Sequence, residues 1–308
     1  MNAPFAPAAV TTTIARPKPK QLNEKAILVQ LATSRARTRK RDVGAEAFVQ
    51  EQLGDEGLTT YQNLFRDKTN PINKLLTVHG QVYTNHVKET IATPTKGHRM
   101  LPMQIYNEYR ISFATRKGDM EAMKRVVMPF YDDYVMLDIA SRSASAVAQG
   151  KPARASVADY PSAYEFESKL TVDLRLIPLP EKRHFLFDLS DEDIAVFEDG
   201  LKEMEMMARQ ETVKYMLIPL KKLVDKLAVP IGNEGSVFRD SMLENVIEGV
   251  EQAKRLCIDD SPEIHAVIAA LDTEVKRYSH AWLRESPIMR TQANKNLSDI
   301  ADQMSAFM

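Results

Sequence analysis

Apolar residues along this chain recur mostly three and four positions apart, the spacing that lines one face of a helix. Leu58, Tyr61, Leu64 and Phe65 begin such a stripe after a turn at residues 54–57; Pro71 is expected to interrupt or kink it, and residues 72–91 resume it. Ile105, Tyr109 and Phe113 follow, and Asp119 is placed to cap a helix bearing Met120, Met123, Val127, Phe130, Tyr134 and Leu137. Ser190 and Asp193 form an S-x-x-D cap ahead of Ile194, Phe197, Leu201, Met204 and Ala208, a coiled-coil-like spacing that runs on through Leu227 with a kink expected at Pro219. Three more helices read at 237–257, 262–278 and from about 286 to the end, the second opened by Ser261 and Pro262.

Period two is rarer. Leu170, Val172, Leu174 and Leu176 alternate with polar residues as a half-buried strand does, and residues 184–189 supply a second strand, so a β-hairpin is expected over 170–189. Residues 22–31 read as a short apolar helix, 93–102 as a loop, and Pro161 as the opening of a short helix over 162–169. The expected fold is mainly α: long kinked helices and helical hairpins with one small antiparallel β-hairpin. The expected divisions are a disordered, basic, Pro-rich arm at 1–22, an N-terminal helical region at 23–140, a linker or loop at 141–159 rich in small polar residues, and a C-terminal helical region at 160–308.

Composition narrows the classes. With 308 residues, 44% of them hydrophobic, the chain can bury a large core. The lone Cys257 excludes an internal disulfide and a CxxC metal site, and reads as a buried thiol. No apolar run approaches a membrane span and the first residues lack a secretory apolar core, so a cytoplasmic location, in a bacterial or phage-infected cell, is expected. The net charge of −1 hides an asymmetry: residues 1–41 hold nine Lys or Arg against Glu24 alone, a net +8, which leaves −9 for the remainder.

That basic end contains the candidate nucleic-acid contacts Arg35, Arg37, Arg39, Lys40 and Arg41. A spacing of two places the arginines on one face of an extended strand but scatters them around a helix. No interleaved aromatics accompany them, so a solvated basic segment is the plainer reading. Met204, Met206 and Met207 are candidate partner contacts, since flexible thioethers suit adaptable surfaces, although core filling is the commoner use. No P-loop, H-E-x-x-H or G-x-S-x-G motif is present. His79 with His86 is too few ligands for a metal, and Asp132-Asp133 and Asp259-Asp260 are explained as surface or cap groups. A site converging in space from Asp132, Asp133, His79, His86 and His98 is the enzymatic alternative.

The ordered segments YPSAYEF (160–166), LTVDLRLIPLP (170–180), the long helix and FRDSMLENV (238–246), with TPTKGHRMLPMQIYNEY (93–109), resemble an uncharacterised family of bacterial and phage proteins. Genes of that family often lie beside those of MoxR-type AAA+ ATPases and von Willebrand A-domain proteins. The likeness spans roughly residues 55–275. It implies a helical protein acting with a AAA+ partner, and supplies no catalytic residue. Arg99, Phe238, Arg239, Asp240 and Asn245 match it and are candidates for structural or partner contacts. The expectation is a non-enzymatic helical adaptor or assembly protein, with homo-oligomers within reach and no cofactor or metal. The alternative is a nucleic-acid-binding protein that uses 35–41.

Overall fold

A computed structural model describes residues 21–53, 59–65, 67–148, 150, 155–179, 190–234 and 236–308. The fold is mainly α with a small antiparallel sheet. In chain order the elements are α1 (Leu22–Lys25), β1 (Ala26–Ser34), β2 (Arg39–Arg41), α2 (Val43–Leu53), β3 (Tyr61–Asn63), α3 (Pro71–Lys88), β4 (Ile91–Ala92) and β5 (His98–Pro102). There follow α4 (Tyr106–Val127), a 3-10 turn at Met128–Phe130, α5 (Tyr131–Ala148), α6 (Ala163–Lys169) and β6 (Thr171–Ile177). The C-terminal bundle is α7 (Asp191–Ala228), α8 (Asp240–Leu256), α9 (Pro262–Val275), α10 (His280–Glu285) and α11 (Pro287–Ser305). None of these helices is long and apolar enough to cross a membrane.

The segment expected as a helix at 22–31 is largely the central strand of the sheet. The sheet order is β4-β5-β1-β6, and β1 is antiparallel to both its neighbours, with Val29 opposite Arg99 on one side and Leu176 on the other. Ile27, Val29 and Thr33 are β-branched and suit a pleated surface, and a short apolar run carries no periodicity that separates strand from helix. β6 is the strand expected from alternation, but its partner is β1 rather than a following strand; residues 184–189 lie outside the described residues, as do 1–20 of the expected arm. Leu22 is already buried. The expected loop at 93–102 ends in β5.

Prolines that looked like interruptions serve as helix starts. Pro71 is the first residue of α3, where its missing N–H costs nothing, and the Asn70 side chain caps the turn by accepting from Ile72 N at 2.9 Å. Asp119 lies inside α4 rather than capping a helix. Pro129 sits in the 3-10 turn between α4 and α5. The Ser190–Asp193 capping box opens α7 as expected, and Ser162 and Ser286 cap α6 and α11.

Three apolar clusters fill the interior. One lies among the second half of α7, α8, α9, α10 and α11. A second joins α3, α4 and α5 to α6 and β6 through Ile72, Tyr131, Phe166 and Val172, and a third packs the sheet on Tyr109, Ala208 and Leu256. Both of the latter join residues from either side of 141–159, so packing does not divide where the linker was expected; α5 itself runs to Ala148.

Within α7, Pro219 cannot donate to the carbonyl of Tyr215, and α8 approaches that point through Gly249. A Cβ on Gly249 would collide with the Tyr215 carbonyl oxygen and lie 3.3 Å from Pro219 Cγ. Alanine normally improves a helix interior by about 1 kcal/mol over glycine, whereas overpacking costs about 1–3 kcal/mol. Gly249→Ala is therefore expected to lower stability by about 1–2 kcal/mol in urea unfolding; an increase would show that α7 and α8 are not in close contact there.

The two histidines of α3 are core groups. His79 Nε2 lies 3.3 Å from the Thr171 carbonyl oxygen, and His86 Nδ1 shares a 2.7 Å hydrogen bond with the Tyr109 hydroxyl. Burial lowers the His86 pKa to about 4, with the Arg99 charge acting in the same direction. An unfolded histidine titrates near 6.5, so the unfolded chain takes up this proton first as pH falls. The contribution is complete above about pH 6.5 and is lost on approaching 4. His86→Asn, which keeps a polar atom near the Nδ1 position, should lose less stability than the parent chain between neutral pH and about 4.5, as measured by urea midpoints.

Candidate interaction surfaces

Within the basic segment Arg39–Arg41 form β2, while Arg35 and Arg37 precede it outside any strand. β2 pairs antiparallel with β3, Arg39 opposite Asn63 and Arg41 opposite Tyr61. Ala36 is buried between the exposed Arg35 and Arg37. The five cations divide into two groups. Lys40 Nζ meets Asp159 at 2.5 Å, and Arg41 Nε donates to both oxygens of Glu46 at 2.9 and 2.8 Å. The hydrogen bond from Arg41 holds the Glu46 carboxyl below its ordinary range, and Glu46 raises Arg41 in return. Burial opposes ionisation of Asp159, but the bonds from Lys40 and the Ser156 backbone outweigh it and its pKa is lowered. Arg35, Arg37 and Arg39 remain, exposed and in no ion pair among the described residues.

The methionines of α7 do not form one surface. Met206 is 53% exposed, while Met204 and Met207 are half-buried, Met204 against the sheet cluster. The larger feature is an asymmetry in α7. No residue before Ala208 is buried, whereas Ala208, Thr212, Val213, Met216, Leu217, Leu220, Leu223 and Leu227 all are. The first part shows Val196 at 70% exposure, and residues 191–205 hold seven acids against Lys202. At its base Arg209 pairs with Asp259, and Lys25 Nζ with Asp260 at 2.8 Å, beside a cavity of about 60 Å³ lined also by Glu205 and Ile258. Ligand pockets for small organic molecules run to roughly 300–1,000 Å³, so this one suits water.

Among the positions carried by the resemblance, Arg99 is a clamp within the fold. Its guanidinium donates to the carbonyl oxygens of Val87 at 3.1 Å and Thr90 at 2.7 Å and to the Thr90 hydroxyl at 2.7 Å, which closes the C-terminal end of α3. Phe238 is buried in the bundle; Arg239 is exposed at the N-cap of α8 with no side-chain cap, and Asp240 pairs with Arg284. Asn245 is exposed on α8.

Asp138 is a buried group that sequence reasoning passed over. Its Oδ2 accepts from Phe65 N at 2.9 Å, Arg142 Nε at 2.8 Å and the Tyr160 hydroxyl. Phe65 has φ 54°, and its ring meets Tyr131, Tyr160 and Phe166 edge-on. Burial, then the bond to Asp138, raises the Tyr160 pKa. The group ties the β2–β3 strand pair to α5. Arg142 four residues after Asp138 was the only local signal; the other partners come from positions 65 and 160.

The groups considered for an active site stay apart. Asp132 and Asp133 are exposed on α5, His79 and His86 lie in the core, and His98 is on β5. Among the described residues no three of His, Cys, Asp and Glu are grouped to hold a metal ion. Cys257 is buried, which raises its thiol pKa.

The stripe read as Val127, Phe130, Tyr134 and Leu137 splits in the structure. Val127, Tyr131 and Val135, each four residues on from the last, are buried, while Phe130 and Leu137 face outward. No family model, curated protein or solved structure matches the chain.

Proposed function

We propose that this protein is a non-enzymatic helical adaptor that docks a partner protein on the first part of α7. The observation that carries the reading is the run from Asp191 to Met207, in which no residue is fully buried, an acidic face that also exposes Val196 and Met206, held on a helix whose other end is anchored in the bundle. A rigidly based, acidic and partly apolar helix fits a groove with basic rims in the helix-in-groove mode. The resemblance supplies the partner to try first, a MoxR-type AAA+ ATPase; the ATPase would perform the nucleotide chemistry.

Calorimetry with the purified ATPase from the same genome tests this. Binding is expected to weaken at least about tenfold in Met206→Asp and in Val196→Asp, with unchanged circular dichroism. Equal binding by both variants, or none by the parent chain at low salt, overturns the α7 site.

The second reading, nucleic-acid binding, is favoured by one observation, the three exposed arginines Arg35, Arg37 and Arg39 at alternate positions. Anisotropy titrations on duplex DNA should give an affinity that falls with salt. Changing all three to Ala should reduce the log–log slope by about 2–3, since each phosphate contact contributes about 0.9. Arg41→Ala should change it little, because Glu46 already holds that charge. An unchanged slope in the triple variant counts against this reading.

A further inference from the structure

The geometry points to α5 as a self-pairing surface: two copies of the chain join through α5 in antiparallel orientation, on a face distinct from the α7 site. One side of α5 is seated in the core by Tyr131, Val135 and Asp138. The opposite side, from the end of the 3-10 turn onward, presents Phe130, Asp133, Leu137, Ala140, Ala144 and Val147, all exposed. Their spacing is 3-4-3-4-3, the a/d seam of a coiled coil. Phe130, Leu137 and Val147 are 53%, 62% and 69% exposed, a cost in water that a solvated helix face has no reason to carry in register.

The order of residues along the seam selects the occupant. About a two-fold axis between residues 138 and 139, Phe130 meets Val147 of the second copy, Asp133 meets Ala144 and Leu137 meets Ala140. Each contact sets a longer side chain against a shorter one, the interlocking that helix packing requires. The serines at 141, 143 and 145 keep the second half of the helix narrow, so the two backbones can approach. A parallel pair would place Asp133 against Asp133 as like charges, whereas the antiparallel pair separates the two carboxylates by eleven residues of helix, roughly 16 Å. The flanking pairs, Met136 with Ser141 and Tyr134 with Ser143, bring no like charges together. The seam runs about 25 Å at 1.5 Å per residue, a short interface of the transient class, so the pairing is expected to be reversible.

Sedimentation equilibrium of the full chain across micromolar concentrations tests the pairing, with a reversible monomer–dimer equilibrium expected. Leu137→Glu and Ala144→Glu should each raise the dissociation constant about 100-fold, since a tenfold loss counts twice in a symmetric dimer. Both positions are exposed in the monomer, so the thermal midpoint of the monomer should stay put. Orientation is read by oxidation: Phe130→Cys mixed with Val147→Cys should form a disulfide-linked dimer, and Phe130→Cys alone should not. A strict monomer, a dimer indifferent to both Glu variants, or linkage of Phe130→Cys to itself overturns the proposal. None of these outcomes bears on ATPase binding at α7, which is scored with Met206→Asp.

Discussion

The two-sided pairing of β1 is the constraint on which the rest of the structure depends. A strand between two neighbours has its backbone donors and acceptors taken on both edges: Ala26–Gln30 pair with β5 and Leu28–Ser34 with β6, so Leu28, Val29 and Gln30 are tied to both at once. β5 leads directly into α4, and β6 is preceded by α6, whose Phe166 lies in the same cluster as Tyr131 and Ile72. The sheet therefore sets where the α3–α4–α5 layer stands. Through Leu28, Met100, Ala208 and Leu256 it also meets α7 and the end of α8, which connects the layer to the C-terminal bundle.

Local signals and long-range ones were legible to different degrees. Caps and periodicity are written within four residues of where they act, which is why Ser190 with Asp193, Ser162 and the 38-residue run of α7 could be read directly. β6 was legible because half of its residues face water and so alternate. β1 was not, because a strand covered on both faces loses that alternation, and its partners stand some 70 and 145 positions away. Pro71 was misplaced by two meanings of proline: a stop inside a helix and a start at its first turn, with Asn70 the residue that decides.

The candidate surfaces follow the same division. The two-residue spacing of Arg35, Arg37, Arg39 and Arg41 left strand and solvated segment open, and only the fold shows that Glu46 and Asp159 occupy Arg41 and Lys40. Arg99 likewise carries no local sign that it closes the end of α3. Asp138 is the clearest case, since its partners at 65 and 160 are brought together only when the residues after β3 and the segment before α6 fold onto α5. The stripe along α5 was read out of phase: Val127, Tyr131, Val135 and Asp138, spaced by four and three, are the buried set, whereas Phe130 and Leu137 lie to one side of it and are exposed.

The orientation of α5 is fixed by a buried polar network. Asp138, with its acceptor oxygen engaged by Phe65, Arg142 and Tyr160, fixes the inner face of α5, so the outer seam cannot roll inward to bury its own apolar residues. A buried carboxylate with charged and neutral donors resists displacement because any shift leaves a charge unpaired in the interior. The polar network and the exposed seam are thus two sides of one helix held in a single rotation. Glu274, held below its ordinary range despite burial by bonds from the Tyr278 hydroxyl and Asn296 Nδ2, each 2.6 Å, does the same between α9 and α11. In both places the buried polar groups serve to fix helix orientation, and helices fixed in orientation present defined faces to other chains.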